Sequence, residues 1–253
     1  VLLATLFNLG FELAFRGAAG MVATPGLPIG LAVIYIAYFT IVEHLIRRYD
    51  VGNLDLLLIA FAFGLLPMTF LTGLVFAPPL ALGVNWRVLL GVNVVWWGFT
   101  QGLLTLYFAR RVSGRDWNEP SFASGTLAAA VVFLVLVHAA RFAGAENLPR
   151  GAAIGYVVIV VLFGIAVAAL GARLRPRTGG DPFVRSRVLD VLAAASLAVF
   201  LGVGLFVARE AAFDPATASV VDARGASVAR GWTQFVFFAM LAYYARYRER
   251  ISI

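Results

Sequence analysis

Residues Ala152 to Ala172 read AAIGYVVIVVLFGIAVAALGA, an apolar run without one charged side chain. A hydrocarbon core about 30 Å thick takes roughly 20 such residues as a helix, so this stretch reads as a transmembrane helix. Working outward, seven further segments of the same kind lie at about 1–22, 28–46, 54–77, 88–109, 122–142, 188–208 and 228–246. Turn and breaker residues separate them: Thr24-Pro25-Gly26, Val51-Gly52-Asn53, Pro78-Pro79, Glu119-Pro120, Asn147-Leu148-Pro149 and Gly179-Gly180. The expected fold is all-α, a polytopic integral membrane bundle of about eight helices that forms one transmembrane domain over 1–253.

The composition agrees. Of 253 residues, 62% are hydrophobic and 13% charged, with a mean hydropathy of +0.91. Soluble domains run near 45–50% apolar and about 25% charged. A soluble enzyme, a disordered chain and a nucleic-acid-binding domain are therefore excluded. The chain has no cysteine and no lysine; all 20 basic residues are arginine. Disulfides, thiolate chemistry and Schiff bases are thereby excluded, and no cofactor is expected.

The arginines also orient the chain. Thirteen fall in the links after the second, fourth and sixth segments and in the C-terminal tail, and seven fall on the opposite side. Excess arginine in short loops marks the cytoplasmic face. The expectation is a multi-pass protein of the cell (inner) membrane with both termini in the cytoplasm. Val1 already lies inside an apolar run, and the basic exit Ala245-Arg-Tyr-Arg-Glu-Arg250 invites a continuation, so a cytoplasmic domain beyond Ile253 is expected.

The two halves share short matches in order. Leu27-Pro28 answers to Leu148-Pro149, Leu54-Asp55 to Leu189-Asp190, Thr100-Gln101 to Thr233-Gln234, and Ala109-Arg110 to Ala245-Arg246, at offsets of 121, 135, 133 and 136. These matches predict two four-helix repeats, about 1–111 and 122–250, in parallel orientation. An even number of spans per repeat relates them by an axis along the membrane normal.

Ionisable groups within the bilayer are expensive and mark function by default. Glu12 stands in the middle of the first segment with Arg16 four residues on, the favourable order for a helical ion pair. Asn93, Trp97 and Gln101 recur every four residues along one helix face, and Gln234 holds the place of Gln101 in the second half. Glu12, Arg16, Asn93, Gln101 and Gln234 are the expected substrate-binding residues of a polar mid-membrane site between repeats. Arg87, Arg141 and Arg230 lie on the side that the positive-inside rule disfavours, and are the expected contacts of anionic lipid head groups. His44 and His138 differ in depth by most of the membrane, so they cannot share one haem, and no metal site is expected. Pro67 predicts an interruption of the third segment.

Two short stretches bear on families. Phe11-Glu-Leu-Ala-Phe-Arg-Gly17 resembles half of the Glu-Glu-x-x-x-Arg motif of glutamate-type intramembrane proteases, with one glutamate and without that family's histidine motifs. Gly52-Asn-Leu-Asp55 is similar to the Gly-x-Gly-Asp of intramembrane aspartyl proteases, with the second glycine absent. Neither assigns a family. The expected function is transporter-like or channel-like. A membrane-embedded sensor or scaffold module of a longer signalling chain is the alternative, and a lipid-handling enzyme is the third reading, for which no complete catalytic constellation is present.

Overall fold

The structure, a computed structural model, describes residues 1–17, 21, 26–114, 122–144, 152–176, 186–213 and 218–246. The breakers Glu119-Pro120, Asn147-Leu-Pro149 and Gly179-Gly180 lie outside the described residues, as do Arg115, Arg150, Arg177, Arg185, Arg248 and Arg250. The described residues form helical rods and no strands: α1 (Leu2–Arg16), α2 (Gly26–Arg48), α3 (Asn53–Leu66), α4 (Trp86–Ser113), α5 (Ser124–Gly144), α6 (Ala153–Arg173), α7 (Arg187–Phe213) and α8 (Ala218–Arg246).

Among the described residues, six helices are long and apolar enough to cross a membrane: α2, α3 with its continuation to Leu71, α4, α5, α6, and α7 as far as Glu210. The other two fall short for different reasons. The helix α1 has only 15 residues and stops at Gly17, whose φ of 77° leaves the right-handed helical region. The helix α8 has 29 residues, but Asp222, Arg224, Arg230 and Gln234 dilute its apolar content.

Two rods depart from α-helical winding. Pro67 has no N–H to give, and from Pro67 to Leu71 the chain takes a wider π turn, with Thr72 N–H donating to Pro67 O at 3.1 Å. In α4 the winding is α-helical over Trp86–Leu90, π-helical over Gly91–Leu104 and α-helical again over Thr105–Ser113.

The chain divides into two compact units, and α2 and α4 contribute residues to both. The first comprises Val1–Phe39, Leu104–Arg115 and Phe183–Ile253; the second comprises Thr40–Leu103 and Asp116–Pro182.

In the first unit α1 packs against α7, α8 and the last stretch of α4. Phe11 meets Phe200 edge-on at 4.7 Å between ring centroids, and Phe7 lies 5.0 Å from Phe108. Small residues let the backbones approach, the usual device between helices in lipid. A Cβ at Gly204 would stand 2.7 Å from Leu13, and one at Gly225 would stand 2.6 Å from Val207.

In the second unit α3 packs on α6, and α5 packs on the π turn. Its core joins Leu65, Val75, Phe76, Val84, Leu89 and Ile159. Tyr156 and Phe142 close around Phe70, with Phe142 edge-on to Phe70 at 5.6 Å and Tyr156 stacked at 6.3 Å. Asp55, in the first turn of α3, accepts a hydrogen bond from Gly52 N at 2.8 Å and pairs with Arg173 of α6 at 2.5 Å. Only 11% of the apolar window of α5 and 17% of that of α6 are buried, so these two helices leave most of their Val, Leu and Ile side chains for lipid to cover.

Candidate functional site

The first unit holds a polar stripe inside an apolar helix. Thr5, Asn8, Glu12 and Arg16 recur every three or four residues, so they share one face of α1. Thr5, Asn8 and Glu12 are 3% or less exposed. Phe7, Phe11 and Ala14 bury themselves on neighbouring turns. Ordinary helical periodicity thus separates an apolar packing face from a polar one that is equally buried from Thr5 to Glu12 and opens at Arg16.

Glu12 is the centre of the stripe. Its Oε2 accepts a hydrogen bond from Arg16 Nε at 2.5 Å, and its Oε1 accepts one from the Tyr35 hydroxyl of α2. Tyr35 is 1% exposed. A buried carboxylate is tolerable only with its charge paired and its lone pairs satisfied, and here a guanidinium and a phenol share that work. One turn along, about 5.4 Å, Asn8 Oδ1 accepts from the Thr105 hydroxyl of α4 at 3.2 Å. Three helices therefore place six polar side chains along α1: Thr5, Asn8, Glu12 and Arg16 of α1 itself, Tyr35 of α2 and Thr105 of α4.

Farther along α4 in the same unit, the Tyr107 hydroxyl lies 2.8 Å from Asp190 Oδ1 and 2.9 Å from Ser186 O, and it accepts from Ser186 N–H at 3.1 Å. Arg111 Nε donates to Asp190 Oδ1 at 2.8 Å. This cluster joins the end of α4 to the start of α7.

Of the five residues expected to bind substrate, the structure brings together Glu12 and Arg16. Asn93 is fully buried in the second unit, where its Nδ2 donates to Phe61 O at 3.4 Å and its side chain packs over Gly64. Gln101 is also fully buried in that unit. Gln234 belongs to the first unit and is exposed. Ala229, Thr233, Val236 and Met240 set the buried face of α8 at helical spacing, and Gln234 lies off it. Arg87, Arg141 and Arg230 are all exposed, and Arg230 Nε donates back to Ala226 O at 3.3 Å.

The histidines are buried on different helices. His138 Nδ1 lies 2.6 Å from Leu134 O, one turn back on α5, and His44 is on α2. Among the described residues no three His, Cys, Asp or Glu side chains come together as a metal site would require.

Sequence reasoning missed Asn8, Thr105 and Tyr35 as members of the site. Asn8 had a usable signal, since it precedes Glu12 by four residues. Tyr35 had none, because its bond to Glu12 spans 23 residues of chain.

No family model, no curated protein and no solved structure matches the chain.

Proposed function

We propose that this chain is a transporter-like or channel-like membrane protein whose working charge is Glu12. One observation carries the reading: a carboxylate 1% exposed, one turn before the end of an apolar helix, lies in a buried polar stripe instead of standing as an isolated pair. A pair that served packing alone would need neither Asn8 nor Thr105 beside it. Polar side chains placed along one helix give a solute or ion successive partners across the hydrocarbon, as transport sites require.

In this reading all eight rods cross the membrane, with both termini in the cytoplasm, and the two four-helix repeats in parallel orientation stand as its architecture. The arginine asymmetry of thirteen against seven supports the orientation. Accessibility labelling of single cysteines placed at 180 and 218 is expected to report opposite sides, with 180 inside. Labelling of both from one side would overturn the topology.

The functional test uses purified protein in proteoliposomes, with solid-supported-membrane currents read after jumps of a mixed solute panel. Wild type is expected to give a current that Glu12→Gln abolishes while the variant stays folded at the assay temperature, with a stability loss of only about 1–2 kcal/mol. Glu12→Gln with Arg16→Met is expected to restore none of it. Currents equal in wild type and Glu12→Gln would sink the proposal.

A further inference from the structure

We propose that Arg16 is a receptor for an oxyanion, carboxylate or phosphate, and that Glu12 and Tyr35 are positioning residues which hold its guanidinium to that task. The inference rests on the transport reading and names the class of its cargo.

A guanidinium offers five N–H donors in a planar fork. Glu12 engages Arg16 through Nε alone. Among the described residues no hydrogen bond reaches either Nη group of Arg16. The side chain is 37% exposed, whereas the carboxylate that holds it is 2% exposed. One edge of the fork is therefore fixed from below by a buried acid, and that acid is itself fixed by the Tyr35 hydroxyl of another helix. The opposite edge, with its two parallel N–H directions, is left open. Two donors at that spacing fit the two oxygens of a carboxylate or phosphate.

Charge points the same way. Glu12 is the acid that pairs with Arg16. The side chain that anchors the fork also offsets its charge, so the incoming anion binds reversibly, as a cargo must. A proton or metal cation would have to displace the donors that surround Glu12; an anion needs only the donors that are already idle.

The test is binding by calorimetry, with the protein in a neutral detergent and inorganic phosphate and acetate as probes. Wild type is expected to bind at least one probe. Arg16→Lys keeps the charge and loses the fork, and is expected to weaken binding about tenfold or more. Glu12→Gln keeps an amide near Nε and removes the opposing charge, and is expected to tighten binding roughly tenfold even as it abolishes flux. A merely structural ion pair would move neither value, and a wild type that binds neither probe would overturn the inference.

Two arms assign the source of the anion. In nanodiscs of phosphatidylcholine alone and of phosphatidylcholine with phosphatidylglycerol, competition by the anionic lipid identifies a head group, and its absence identifies a soluble anion. Either result upholds the oxyanion site. Flux that ignores anions while responding to Glu12→Gln would defeat this inference and leave the transport reading intact. Anion binding without flux would do the reverse.

Discussion

The helices α1 and α6 are both built mostly of apolar side chains, and the molecule uses them in opposite ways. Along α6, Ile154, Val157, Val160, Val161 and Ile165 are all more than half exposed, and Gly155, Ile159 and Ala166 are its buried residues. Along α1, eight residues are buried, and Thr5, Asn8 and Glu12 are among them. An apolar helix whose buried residues are Gly155, Ile159 and Ala166 serves as wall. An apolar helix that hides an acid has committed neighbouring helices to satisfying it. What distinguishes the two is the chemistry of the residues turned inward.

The largest effect that tests this contrast falls on the ion pair itself. Arg16→Met strips its partner from a carboxylate with a side chain only 2% exposed, and orphaning a buried charge costs about 3–5 kcal/mol. Glu12→Gln leaves a guanidinium that already reaches the surface, with an amide oxygen still able to accept, so its cost is expected near 1–2 kcal/mol. Unfolding in mixed micelles measures both. Equal losses for the two variants would show that the pair is not asymmetric, and the double variant is expected to recover much of the Arg16→Met loss.

Next comes the wall. Val161 is 51% exposed in the middle of α6, and arginine at a membrane-helix centre costs about 2.5–3.5 kcal/mol in insertion. Val161→Arg is expected to reduce the inserted fraction in a microsomal insertion assay. Full insertion would mean that α6 lines something other than lipid.

The smallest effect compares two glycines. A Cβ at Gly10 of α1 would stand 3.3 Å from Leu201, while nothing lies within 4 Å of one at Gly164 of α6. Gly10→Val is expected to cost about 1–3 kcal/mol through overpacking, and Gly164→Val less than about 0.5 kcal/mol. Matching unfolding midpoints for the two would erase the distinction between packed and lipid-facing helices.

Much of this was legible before any coordinates, and the gaps have physical causes. Apolar length announces a membrane helix because the bilayer has a fixed thickness, and α2 to α7 follow from that alone. The Glu12–Arg16 pair was legible because helical geometry brings positions four apart together. Tyr35 and Thr105 were not, since the bonds that bring them to Glu12 and Asn8 span 23 and 97 residues. Nor was the exposure of Gln234, which depends on how α8 turns its Ala229–Thr233–Val236–Met240 face inward. The π winding of Gly91–Leu104 had no local signature at all, whereas Pro67 foretold the interruption that became the π turn.

The bond between Asp55 and Arg173 has a consequence in time. The two residues lie 118 positions apart, and a ribosome adds about 5–20 residues per second. Asp55 is therefore synthesised about 6–24 s before its partner. The other partner of the carboxylate, the Gly52 N–H that donates to it at 2.8 Å in the folded protein, lies only three residues away and is made almost together with it. The acid thus has its local partner in the chain from the start, and gains its arginine only when the sixth helix has been synthesised.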